Sequence, residues 1–312
     1  MKGILTMDKF RLGTSEIEAP AIVLGCMRFS GKSVKEMNDY IHFAIDRDVN
    51  FFDHANIYGD GECERLFGEA FSSDSSLKRE DVTIQTKCGI RKGCYDQSKE
   101  HIIACVDESL RRLRTDYLDV LLLHRPDALV EPEEVAEAFD ELEKSGKVRN
   151  FGVSNHKPMQ IELLKKCVRQ PLVANQLQFS LATSNMIANG LEVNMINDGS
   201  LDRDGSVLDY CRLNDITIQA WSPFQRPNWK GTFLESREYK ELNKVLKELA
   251  EKYNADISTI AAAWILRHPA KMQVIAGTAN KEHLQKIIDA SSIKLTREEW
   301  YRLYLSAGHP LP

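Results

Sequence analysis

Eight short apolar runs, each followed by a stretch of helical period, recur from one end of this 312-residue chain to the other. The runs fall at 22–25, 50–53, 82–86, 118–123, 148–153, 173–176, 216–220 and 273–275. The helical stretches lie near 33–47, 61–72, 98–113, 132–145, 157–168, 201–213, 256–267 and 280–290. Strands that alternate with helical crossovers must pair in parallel. Runs such as Val120 to Leu123 are apolar at every position, as strands covered on both faces are. Eight repeats of the unit predict a (β/α)8 TIM barrel, one domain over 1–312.

The competing architecture is an open, doubly wound sheet with a dinucleotide site at its first turn. Gly59, Gly61 and Glu64 come near its fingerprint, reading GxGxxE. The third glycine is absent and the preceding run ends at Asp53, so that architecture is rejected. Material beyond the repeat has its own reading. Residues 10–20, with turn formers at Gly13 to Ser15, predict a β-hairpin that plugs the bottom of the barrel, and helices over 236–253 and 297–305 are surplus to it. Two long connections, 179–202 and 223–235, leave strand ends and so shape the catalytic face. Ser33 and Ser98 suit helix N-caps and Gly146 a C-cap.

Composition narrows the function. A net charge of -5 and a pI near 6.0 argue against a broad footprint for nucleic acid or an anionic membrane surface. Arg111, Arg112 and Arg114 form a local basic cluster, read as cations closing a helix at the negative end of its dipole. Seven scattered cysteines without a CxxC or zinc-like spacing suit a reducing compartment. The first ten residues lack a signal-peptide core, and 257–266 is too short and broken to span a bilayer, so the expectation is a cytoplasmic protein.

Four ionisable residues stand where apolar runs give way to loops. Asp53 ends the second run, Lys87 follows the third, His124 follows the fourth, and Tyr58 lies five residues past Asp53. A barrel delivers its strand ends to one mouth, so these four are predicted neighbours. Singly each has a structural explanation: a turn cap, a packed aromatic, a solvated lysine, a buried histidine. Together, at three successive strand ends, they point to a site.

The segments FFDHANIYGDGECERLFGEAF (51–71), SLRRLRTDYLDVLLLHRPD (109–127) and GKVRNFGVSNH (146–156) resemble the aldo-keto reductases, and the resemblance runs over essentially the whole chain. It implies a barrel that binds a nicotinamide nucleotide, with a catalytic tetrad at Asp53, Tyr58, Lys87 and His124. A free tyrosine titrates at about 10. The expectation is that Lys87 lowers that value, Asp53 holds Lys87 charged, and His124 orients the carbonyl, so that Tyr58 protonates the developing alkoxide.

The same resemblance implies that Ser154, Asn155 and Gln176 hydrogen-bond the nicotinamide carboxamide and that Trp221 stacks on its ring. Ser222, Pro223 and Phe224 approach the pyrophosphate, while Gly25 and Met27 border the cofactor at the first strand end. Recognition of a 2′-phosphate falls to Gly277, Thr278, Asn280 and His283, or to amides of the helix beginning near Asn280. Gly277 and His283 stand where many family members carry lysine and arginine. NADP(H) is favoured on family habit and NAD(H) is not excluded. Arg28, Arg125 and Trp229 are candidate substrate-pocket residues, the arginines suited to an acidic substrate or to a carboxylate or cofactor nearby.

Two other functions are weighed. The family includes channel-associated subunits that act mainly through partners, and a complete tetrad argues against that role here. A metal-dependent hydrolase needs clustered ligands, and only Asp53, His54 and His124 offer themselves, so no metal is expected. The partner expected is a small carbonyl substrate; monomer and homo-oligomer both fit.

Overall fold

Side chains of successive strand residues point to opposite faces, and in this chain both sets are apolar. Val23, Phe51, Val120, Leu122 and Ile275 pack inside a closed barrel, while their neighbours Ile22, Leu24, Phe52, Leu121, Leu123 and Val274 pack outward against helices. The computed structural model describes Met7 and residues 9–311. The reading of the first ten residues as lacking a signal core lies mostly outside them.

A hairpin, β1 (Lys9–Arg11) and β2 (Glu18–Pro20), precedes the barrel. The barrel strands are β3 (Ile22–Gly25), β4 (Phe51–Asp53), β5 (Thr83–Cys88), β8 (Val120–Leu123), β9 (Phe151–Ser154), β10 (Leu172–Gln178), β11 (Thr217–Trp221) and β12 (Gln273–Ala276), and they close in that order with β12 beside β3. Every pair is parallel. A small ribbon, β6 (Ile90–Arg91) with β7 (Cys94–Tyr95), rises after β5, and the apolar pattern predicts none there.

Helices α1 (Val34–Ile45), α2 (Glu62–Ser72), α3 (Lys99–Leu113), α4 (Pro132–Lys144) and α5 (Pro158–Lys165) ring the outside. They are followed by α6 (Asn185–Leu191), α7 (Val207–Leu213), α8 (Lys240–Tyr253), α9 (Ile257–Leu266), α10 (Lys281–Ile288) and α11 (Arg297–Ser306). Ser33 and Ser98 cap α1 and α3 through their hydroxyls. The surplus helix α11 is joined to α9 by a tryptophan pair: Trp264 and Trp300 stack at 4.9 Å, and each indole N–H donates to the other's carbonyl, at 3.1 and 3.0 Å.

Two expectations give way. The helix predicted over 201–213 begins only at Val207, because the Asp202 carboxylate accepts from the amides of Asp204, Gly205 and Ser206 and holds them in turns. The connection predicted over 179–202 contains α6. The hairpin does plug the floor. Leu12 is fully buried, and the Gly13 amide donates to the Thr217 hydroxyl at 2.8 Å. Gly13 has φ +53, and a Cβ there would lie 2.4 Å from the Val173 carbonyl oxygen, so the tip requires glycine. Among the described residues no helix is long and apolar enough to cross a membrane.

Candidate active site

The inward alternation that places Phe51 in the barrel also places Asp53 there, and the same parity on β5 points Gln85 and Lys87 inward. Lys87 is fully buried. Its Nζ donates to Asp53 Oδ2 at 2.8 Å, to the His54 carbonyl at 2.7 Å and to Tyr58 Oη at 3.1 Å, which uses all three ammonium protons. Burial opposes the charge, but Asp53 and Tyr58 outweigh it, and the ammonium is held above the ordinary lysine value. The Tyr58 and His124 rings meet edge to face at 6.1 Å. Burial first, then the charges of Lys87 and Arg125, push His124 down to about 2, so its imidazole is neutral. Among the described residues its Nδ1 is buried without a partner, which leaves Nε2 as the nitrogen free to turn to the cavity that His124 lines.

One expectation is corrected. Burial raises the Tyr58 phenol above its ordinary value; Lys87 pulls it down without prevailing, and Asp53 adds to the rise. At neutral pH the raised phenol keeps its proton, and the Lys87 ammonium is the group beside it whose charge favours a phenolate.

Tyr58 sits on a turn that passes through three left-handed residues, Gly59, Asp60 and Gly61. Arg112 of α3 pins this turn: its guanidinium donates to the Asn56 carbonyl at 2.9 Å and pairs with buried Glu64 at 3.5 Å. A Cβ at Gly61 would collide with that guanidinium at 2.2 Å. Arg112 thus does more than neutralise a helix end, and the GxGxxE spacing that resembles a nucleotide loop serves to seat Tyr58.

Beneath the tetrad runs a ladder of buried glutamines. Gln85 and Gln176 each donate from Nε2 to Asp53 Oδ1, at 2.6 and 3.1 Å, and to Gln219 Oε1, at 2.9 and 3.1 Å. Gln219 Nε2 donates in turn to Gln85 Oε1 at 3.1 Å and to Gln273 Oε1 at 2.9 Å, and Gln273 Nε2 donates to the Pro20 carbonyl at 2.8 Å. Amide orientation is ordinarily assigned from the network. Here both ends of the ladder, a carboxylate and a carbonyl, can only accept, so every amide has one consistent setting. The setting leaves Gln176 Oε1 without a partner among the described residues, on a side chain that lines the cavity above.

That cavity measures about 1490 Å³, beyond the roughly 300–1,000 Å³ of ordinary small-molecule sites. It brings together all the candidate residues except Lys87, buried below it, and Asn280. Asn280 instead caps α10, its Oδ1 accepting from the amides of Glu282 and His283 at 2.8 and 3.1 Å, so these first amides of the helix are already occupied. Thr278, Gly277 and His283 line the wall, joined by Lys286, which the sequence reading does not single out and which pairs with Asp256 at 2.9 Å. Ser154 donates to the Gln176 carbonyl at 2.9 Å, and Asn155 donates to the Ser154 hydroxyl at 2.7 Å. Asn155 Oδ1 accepts from the Trp221 indole at 3.2 Å, and the Trp221 ring is stacked on Trp229 at 5.3 Å. Among the described residues no three His, Cys, Asp or Glu side chains converge as a metal-ligand set.

A family model described as the aldo/keto reductase family matches residues 21–304. The chain belongs to that family. The uncharacterized oxidoreductase YcsN of Bacillus subtilis is 37% identical over 98% of this chain and 100% of its own length. A 6-dehydroglucose reductase of Agrobacterium fabrum is 32% identical over 94% of this chain and 96% of its own. Among solved structures, a thermostable aldo-keto reductase in complex with the inhibitor epalrestat matches with a TM-score of 0.78 at 28% identity, over 96% of this chain and 100% of that one. This aldo/keto reductase shares the barrel fold with that solved structure and its place among oxidoreductases with the relatives.

Proposed function

We propose that the protein is an NAD(P)H-dependent reductase of a small aldehyde or ketone, with Tyr58 as the proton donor and NADPH favoured. The observation that carries this is the Lys87 ammonium, buried and 2.8 Å from Asp53 while 3.1 Å from the Tyr58 oxygen. Such a charge stabilises a phenolate, and little else at the site calls for it.

The residues present suit a nicotinamide. Gln176 Oε1 is an acceptor without a partner, oriented from below, and an amide N–H is its natural complement. When bound, the reduced nicotinamide supplies the hydride. Tyr58 gives its proton to the carbonyl oxygen as charge grows there, Lys87 meets the phenolate so formed, and Asp53 keeps Lys87 charged. His124, neutral, orients the oxygen through Nε2. At the adenosine end, the Lys286 ammonium and the His283 ring line the wall, and a cation beside a ring donor there supports NADPH. The 6-dehydroglucose reductase among the relatives supports the reaction class.

A screen of carbonyls with oxidation of NADPH and NADH as readouts tests the reading. Tyr58→Phe should abolish reduction while tryptophan fluorescence reports nucleotide binding nearly intact. Unchanged turnover in that variant would sink the assignment.

A further inference from the structure

Two arginines border the catalytic end of the cavity. Arg28 lies in the turn of 3-10 helix, Cys26–Arg28, that follows β3, and Arg125 directly follows His124. Both line the cavity. Neither guanidinium has an ion pair or a hydrogen bond among the described residues; Arg125 lies 5.7 Å from the Trp221 ring centre and Arg28 has no contact of that kind. The pairing with a neighbouring carboxylate that would explain them structurally is thus absent.

The charges of the wall are segregated. Its carboxylates other than Asp53 are Glu235, Glu251 and Asp256, all on the segment 235–256. Asp256 pairs with Lys286, which also feels Glu235. At the catalytic end Asp53 is buried and engaged by Lys87, Gln85 and Gln176. His124 is neutral. What faces an incoming substrate there is two unneutralised guanidinium groups, whose planar forks match a carboxylate or a phosphate.

We propose that the substrate is a small carbonyl compound bearing an anionic group, carboxylate or phosphate, which Arg28 and Arg125 hold while the carbonyl oxygen meets Tyr58 and His124. This rests on the reductase reading: the nicotinamide's hydride goes to the carbonyl carbon, Tyr58's proton to the oxygen, and the alcohol product keeps its anionic group.

The test measures kcat/KM on matched pairs with the full-length enzyme. 4-Carboxybenzaldehyde is set against its methyl ester, and glyceraldehyde 3-phosphate against glyceraldehyde, which separates the two anions. Arg28→Met and Arg125→Met are run beside the wild type, and calorimetry measures binding of 4-carboxybenzyl alcohol and of the reduced nucleotide. The expected result is a preference for one anionic member of about 10- to 100-fold, the worth of a charge-assisted hydrogen bond, which collapses in both variants. Turnover without charge preference overturns the anion site and leaves the reductase reading standing. Loss of nucleotide binding in the variants, with the preference intact, assigns the arginines to the cofactor and also overturns it. If no aldehyde is turned over but the carboxylate binds and the variants lose it, the anion site stands and the reductase reading falls.

Discussion

Replacing Lys87 by methionine keeps most of the side-chain volume and removes the charge beside Tyr58. The ammonium lies 3.1 Å from the phenolic oxygen. At an effective dielectric constant of about 20, a full phenolate charge at that distance is stabilised by about 5 kcal/mol, an upper figure because Asp53 acts in the opposite sense. If the proton is about half transferred in the transition state, about half of this is lost, and hydride transfer slows by roughly 50- to 100-fold. The factor on kcat/KM is the same for alcohol oxidation, since the overall equilibrium is unchanged. The pH profile carries a second signature. Reduction uses the protonated phenol, whose titration burial already raises, so the wild type holds its rate through neutral pH and declines only in the alkaline range; in the variant that decline moves higher still. Removing Lys87 alone leaves Asp53 buried without its cation, a fault worth about 3–5 kcal/mol of stability. The double variant Asp53→Asn with Lys87→Met should recover much of the fold while remaining slow. The assay is single-turnover reduction with nucleotide deuterated at the transferred position, so that the step followed is the chemical one. A wild-type rate in both variants, or an alkaline limb that does not move, would refute the role given to Lys87.

Other outcomes follow from the same geometry. Gln219→Leu should cost about 2–5 kcal/mol in urea unfolding, because it orphans Gln85 Oε1 and Gln273 Oε1, and should raise the nucleotide KM more than it lowers kcat, since Gln176 loses a restraint. An unchanged KM would leave the ladder a purely structural device. His54 and His156 are buried and pushed down to about 3 and about 4, chiefly by burial. Both sit below their unfolded value of about 6.5, so their stability is full above that pH and declines as pH falls below it, by about 2 kcal/mol each at pH about 5. Urea midpoints at the two pH values check this, and His54→Leu should narrow the difference by one histidine's share.

The barrel was legible because strand burial on both faces leaves continuous apolar runs, and β3 falls on the predicted residues throughout. The meeting of Asp53, Tyr58, Lys87 and His124 was legible because strand ends converge. The ladder was not: strands buried on both faces leave no polar alternation to say which way Gln85, Gln219 and Gln273 point, and their mutual bonds appear only in the register of the barrel. Arg112 does stand in the last turn of its helix as read, but its second role was not legible: Glu64 lies 48 residues away, while its helical neighbour Glu108 is the partner that spacing suggests. The helix predicted from 201 failed on a side chain, Asp202, that bonds its own backbone.

The Pro20 carbonyl that receives the last amide of the ladder belongs to the N-terminal hairpin, outside the eightfold repeat. A chain begun at Ala21 would keep every barrel strand and Asp53, Tyr58, Lys87 and His124, yet Gln273 would lose the acceptor that sets its direction. From there the uncertainty passes to Gln219, to Gln85 and Gln176, and so to the carboxylate that holds Lys87. The smallest piece of this protein able to do chemistry is thus longer than the barrel that contains the chemistry, and a cut on the side opposite the mouth would be felt at the mouth.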